Sequence, residues 1–339
     1  MSARPGGRAF DLDPDRWRTP ADGPRWLYAA PGRLRVVWRL AVFGLAIALM
    51  QPVAESIIAP LMRTVSQAAD MRLEAYPWVT LVAIAGGMGV ALRLVDHAPW
   101  RGVALDGVAW RPGALARGFA VGAAAIIGTA ALLWLSGHAT IVTTPAGVLP
   151  GALPGAVSID DVRWSTDSWT ATSVRLAIFL APAALWEELL FRGYLWSVAT
   201  DAAGERVARW STALAFGVVH LMNPGAGALS TLLVILAGLA LGALRERTGS
   251  LPAVWMAHFA WNWVMAALLH VPVSGVPFDT PGYRVVMDGP AWWTGGSWGP
   301  EGGAAALVVI GGALVISARA AAREHRATRL VTENGLDER

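Results

Sequence analysis

The chain has no cysteine among its 339 residues. That excludes disulfides, thiolate metal ligands, a cysteine nucleophile and prenylation of its own C-terminus. Lysine is missing as well, so all 27 basic residues are arginine. Charge of either sign is scarce, at 15% of residues against the roughly one quarter usual in soluble domains. A solvated, charge-rich disordered chain is thereby excluded, and so is a water-soluble enzyme with a polar shell. Hydrophobic residues are abundant instead, at 55%, and they come in long runs.

A bilayer crossing takes about 20 mostly apolar residues. Eight segments meet or approach that length, over 36–58, 76–95, 114–135, 174–198, 207–222, 227–244, 251–270 and 303–318. The expected fold is all-α: a polytopic membrane domain over 36–318, with polar tails over 1–35 and 319–339. The tail ahead of the first run holds no apolar core before a cleavage site, so a removable signal peptide is not expected. Two loops, about 136–173 and 271–302, are rich in Pro and Gly and are expected to carry little regular structure.

Arginine placement orients this arrangement. With the N-terminus in the cytoplasm, only Arg63, Arg72, Arg163, Arg175 and Arg284 fall on the far side. The positive-inside rule then expects a multi-pass protein of the cell membrane with both termini cytoplasmic. The same placement argues against nucleic acid as a partner, because the basic residues mark membrane edges and not one face. Trp38, Trp78, Trp134, Trp196, Trp210 and Trp255 fall near expected span ends, where indole rings favour the headgroup layer. Trp292, Trp293 and Trp298 suggest a membrane-surface anchor in the second loop.

Ionisable groups within spans are costly and by default mark function. They concentrate on three segments: Glu187-Glu188 with Arg192, Phe216 with His220, and His258 with Asn262. Four-residue spacing puts Glu188 beside Arg192 and His258 beside Asn262, while Glu187 and Glu188 point about 100° apart. Counted from their cytoplasmic ends, Glu188, His220 and His258 lie at similar expected depths of about 10–15 Å. A carboxylate beside imidazoles in an apolar pocket can hold and deprotonate water. Alternatively, Glu188, His220 and His258 are a candidate set for a divalent metal such as zinc, which would acidify a bound water. His258 and Asn262 are candidate donors to an oxyanion. Bland readings stand beside these: a structural ion pair, a helix-end histidine bonded to backbone, and interhelical polar glue. His97, His138, His270 and His325 read as interfacial or solvated, and Asp160-Asp161 as a solvated loop pair. Gly86, Gly87 and Gly89, and Gly238 with Gly242, read as helix-packing seams.

The order E-E-x-x-x-R, F-x-x-x-H, H-x-x-x-N on successive apolar helices resembles the CPBP family of intramembrane proteases, which includes type II CaaX prenyl endopeptidases and bacteriocin-processing or self-immunity (Abi) proteins. The resemblance covers about residues 174–270, a four-helix core. It implies a membrane fold with a cytoplasm-facing cavity and a membrane-associated peptide or protein as substrate. It implies that Glu187 or Glu188 activates water with His220, and that His258 and Asn262 stabilise the oxyanion or assist a metal. Arg192 is then structural or substrate-orienting. Two readings from other classes compete: a non-catalytic scaffold or self-immunity protein, and a proton-coupled transporter.

Overall fold

The computed structural model describes residues 26–30, 33–143, 164–165, 168–278, 280–315 and 319. Asp160-Asp161, Arg163, His325 and most of both expected tails lie outside them. The described chain is built from helices: α1 (Val36–Ala68), α2 (Tyr76–Val90), α3 (Pro112–Leu135), α4 (Trp169–Glu188), α5 (Trp196–Ala203), α6 (Glu205–Val219), α7 (Ala228–Thr248), α8 (Leu251–Trp263), a short α9 (Ala291–Thr294) and α10 (Ala304–Val315). This is an all-α, multi-pass membrane protein.

The described parts of all eight expected segments are mainly helical, but among the described residues only four helices are individually long and apolar enough to cross a bilayer: α1, α2 with its continuation to Val95, α3 and α7. The remaining core helices differ for a physical reason. Those carrying the charged motifs give up regularity where the polar residues sit. Straight after Glu188, α4 widens into a π-helix over Leu189–Leu195, and α8 does the same over Val264–Leu269 just past Asn262. Widened turns of this kind often mark functional positions. Helix α6 stops at Val219, because Asn223-Pro224-Gly225 cannot continue it.

Local chemistry sets the boundaries of the core helices. The Ser168 hydroxyl caps α4 by accepting from the Ala171 N–H at 3.2 Å, and the Ser250 hydroxyl caps α8 by accepting from Ala253 at 3.1 Å. Gly249, in the left-handed region at φ +59°, ends α7 and lets the chain reverse directly into α8.

Helix α3 packs along α8, α1 along α2, α6 along α7, and α4 lies between α2 and α8. Glycines allow the closest approaches. A Cβ on Gly118 or Gly122 of α3 would collide with the carbonyl oxygens of Ala253 and Ala257 on α8. Of the expected seams, Gly87 presses on Ile47 of α1, Gly238 on Ala213, and Gly242 on the Trp196 ring.

Four expectations need correction. The 271–302 loop has regular structure: Tyr283–Met287 pairs antiparallel with Ala139–Thr143, and α9 is followed by two 3-10 turns. Trp298 in this loop is not a surface anchor; it is buried against Phe191, Phe216 and Val234, whereas Trp292 is exposed. Trp196 is buried as well, because the helix runs on past it through α5 and its ring fills the space left by Gly242. His270 is also buried. It ends the second π-helix, donates from Nδ1 to the Ala266 carbonyl at 3.0 Å and packs its ring on Tyr283.

Candidate active site

Two consecutive carboxylates open the site, and helical geometry gives them different surroundings. Glu188 is wholly buried, with 0% of its side chain exposed. One of its oxygens, Oε1, accepts from Arg192 Nη1 at 3.0 Å and from His258 Nδ1 at 2.8 Å. Its other oxygen, Oε2, is buried with no hydrogen-bond partner among the described residues. Glu187 has 18% of its side chain exposed, and its Oε2 lies 3.8 Å from His258 Nε2. That distance is too long for a direct hydrogen bond. Glu187 Oε2 is buried and has no hydrogen-bond partner among the described residues, so a water bridging it to His258 would satisfy it.

Arg192 belongs to the π-helix and is as buried as Glu188. Its Nη2 donates to the Gly238 carbonyl of α7 at 3.3 Å, and its guanidinium lies 4.2 Å from the centre of the Phe216 ring. The cation therefore clamps α4, α6 and α7 together at the level of Glu188. A hydrogen at Gly238 is what permits the approach, since a Cβ there would meet Arg192 Nη2 at 3.3 Å and the Ala213 backbone at 3.0 Å.

Tautomers follow from these partners. Paired with a guanidinium, Glu188 is an acceptor, so His258 Nδ1 carries the proton in their bond. His258 Nε2 then faces Glu187. In His220, Nδ1 donates to the Phe216 carbonyl at 2.8 Å, which leaves Nε2 as an acceptor. His220 follows the last residue of α6, in a 3-10 turn, and so stands at the helix end. It joins the cluster through Phe216, whose ring centre is 4.5 Å from that of His220 and 5.9 Å from that of His258.

His220, His258 and Asn262 line a cavity of about 300 Å³ between α3, α7, α8 and α10. Its walls are otherwise Ala, Val, Leu and Gly for most of its length, with Leu233 and Val234 near one end of α7 and Leu244 and Arg247 near the other. No hydrogen bond engages the Asn262 amide among the described residues, so it is available to a ligand.

Glu188, His220 and His258 do not form a metal-ligand set. Among the described residues, no three His, Asp or Glu side chains are grouped to hold an ion. The chemistry agrees: Glu188 Oε1 is committed to a guanidinium and an imidazole N–H, and His258 Nδ1 is spent on Glu188.

Sequence reading missed two residues here. Glu301, just before α10, lines the cavity and takes a 2.7 Å hydrogen bond from Trp261 Nε1. Ser274 also lines it and donates to Glu301. Both lie in the Pro- and Gly-rich loop that offered no periodicity to read. A lone carboxylate directly before an apolar run was the available signal.

Comparison with known protein families gives one finding. Residues 167–264 match the model of the family described as Type II CAAX prenyl endopeptidase Rce1-like. Comparison with curated proteins and with solved structures gave no match. The matched stretch contains all three motifs, with Glu187, Glu188 and Arg192 at the end of α4 and in its π-helix, Phe216 and His220 at the end of α6, and His258 and Asn262 on α8. Over these residues the core is similar to that family, in agreement with the resemblance its motifs carry.

Proposed function

We propose that the protein is an intramembrane endopeptidase that hydrolyses a peptide bond of a membrane-associated peptide or protein by glutamate-activated water. The observation that carries this reading is the division of labour between the two glutamates. Glu188, tied to Arg192 and His258, is a positioning residue. Glu187, half-buried with a free oxygen facing His258 Nε2, is the base. Water held by Glu187, with His220 Nε2 as second acceptor, attacks the carbonyl carbon, and its proton passes to Glu187. The tetrahedral oxyanion is met by the Asn262 amide and by His258, which as imidazolium donates from both ring nitrogens. Collapse expels the amine, which takes the proton back from Glu187.

This mechanism needs no metal, which suits a site where Arg192 already neutralises Glu188. A zinc-dependent alternative would have to displace that pair. The proposed location is a cell membrane, a bacterial inner membrane given the arginine-only, Ala- and Gly-rich composition. Both termini are proposed to be cytoplasmic, with the substrate reaching the cavity from the Arg247 end.

The test uses the purified full chain in liposomes with quenched fluorescent apolar peptides. Cleavage should persist in EDTA and phenanthroline and fall at least about a hundredfold in Glu187→Ala, the scale of general acid–base catalysis. Chelator-sensitive cleavage restored by zinc would refute the metal-free mechanism. Undiminished cleavage by Glu187→Ala would refute the site.

A further inference from the structure

The cavity beside the proposed catalytic groups is apolar along its length but not at its ends. Of the residues lining it, Glu301 is the sole carboxylate among the described residues, and Arg247 is the sole guanidinium. The fold sets them far apart. Ser274, bonded to Glu301, also accepts at its carbonyl from Asn223 Nδ2 at 3.1 Å, in the turn that precedes α7. The 3-10 turn carrying Glu301, Pro300–Gly302, packs on α7. Arg247 lies in the last turn of that helix. From Val234 to Arg247 the helix rises roughly 20 Å, enough for about six residues of extended chain.

Glu301 is built in, not loosely placed. Its Oε1 accepts from the Ser274 N–H at 2.6 Å and from the Ser274 hydroxyl at 2.7 Å, and its Oε2 accepts from Trp261 Nε1 at 2.7 Å. Trp261 precedes Asn262 on α8, so the carboxylate is fixed relative to the proposed oxyanion site. Three donors and no cation meet it among the described residues. A negative group held rigidly at the rim of an apolar cleft is complemented by a ligand that brings the positive charge itself.

We propose that Glu301 is a specificity-determining residue, which recognises a cationic residue bordering the apolar stretch of the peptide substrate. The cleft then selects an apolar segment with Arg or Lys at the Glu301 end. Arg247 at the other end disfavours a second cation there. This inference rests on the peptidase reading for what happens to the peptide, but it concerns binding and can be tested apart from turnover.

The probes are synthetic apolar peptides of one core sequence bearing Arg, Gln or Glu at one end, offered to the full chain in neutral phosphatidylcholine liposomes. Binding is followed by fluorescence in Glu187→Ala, and cleavage in the unaltered protein. The Arg peptide should bind about tenfold more tightly than the Glu peptide, as expected for a charge pair in a partly desolvated site. Glu301→Gln should bring that ratio near one, and Glu301→Arg should invert it. Because Glu301 also tethers Ser274 to Trp261, Ser274→Ala keeps the charge while weakening the tether, and it should keep the preference. Loss of the preference in Ser274→Ala, its persistence in Glu301→Gln, or equal binding of all three peptides would overturn the proposal. Charge-selective binding without any cleavage would sink the peptidase reading and leave this one standing. Cleavage without charge selection would do the reverse.

Discussion

Two buried ion clusters flank a single π-helical turn, and their differences separate chemistry from architecture. On one side of Leu189–Leu195, Arg192 meets Glu188, with Glu187 and His258 alongside. On the other, Tyr194 donates to Asp96 Oδ2 at 2.7 Å, and Asp96 in turn pairs with Arg39 at 2.6 Å. Arg39 also reaches Asp201 at 2.8 Å, and Arg33 pairs with Asp201. Among the described residues this second cluster joins two aspartates to two arginines, and none of its members lines the cavity. It pins the start of α1 to the end of α2 and to α5. The first cluster joins two glutamates to Arg192 and His258, and it opens through His258 onto the cavity. Burial of charge is common to both, so burial alone does not identify a site. An adjoining cavity does.

Substitutions can break this contrast in graded ways. Arg192→Ala should have the largest effect, because it strands Glu188 in the interior and unclamps α4 from α7. Breaking such a pair costs about 3–5 kcal/mol, so thermal stability and cleavage should both collapse, as denaturation curves and peptide assays would show. Asp96→Ala should cost about 3 kcal/mol by leaving Arg39 half-paired and Tyr194 without its acceptor. The surviving folded fraction should nevertheless cleave at the normal rate, which active-site titration would reveal. Gly122→Val comes next: the added side chain would force α3 off the Ala257 carbonyl, at about 1–3 kcal/mol, and shift His258 one residue away. That variant should lose rate out of proportion to its drop in melting temperature. Smallest is Trp292→Ala on the exposed loop surface, which should stay within about 0.5 kcal/mol and leave cleavage unaltered.

Much of this molecule was legible in its sequence, because helical periodicity is local. The apolar runs placed the helices, and four-residue spacing foretold the Glu188–Arg192 pair. What escaped is long-range. Asp96 and Tyr194 are 98 residues apart, and Arg39 and Asp201 are 162 apart, so no spacing rule links them. Arg39 read as one more basic residue at a membrane edge, yet it is buried. The loop over 271–302 hid both Trp298 and Glu301, since a segment stabilised by cross-chain contacts shows no period of its own. The division between Glu187 and Glu188 was half visible: the angle between them is fixed by the helix, but which one is tied down depends on His258, 70 residues away.

The central claim is that the cluster opening onto the cavity does chemistry and the other only holds the fold. The most direct test measures cleavage of an apolar peptide per folded molecule in two isosteric variants, Glu187→Gln and Asp96→Asn, reconstituted side by side. The account predicts that Glu187→Gln folds with near-normal stability and loses cleavage by about a hundredfold or more, while Asp96→Asn is less stable but retains its rate. Retained cleavage in Glu187→Gln, or a catalytic defect in folded Asp96→Asn as deep as that in Glu187→Gln, would contradict it.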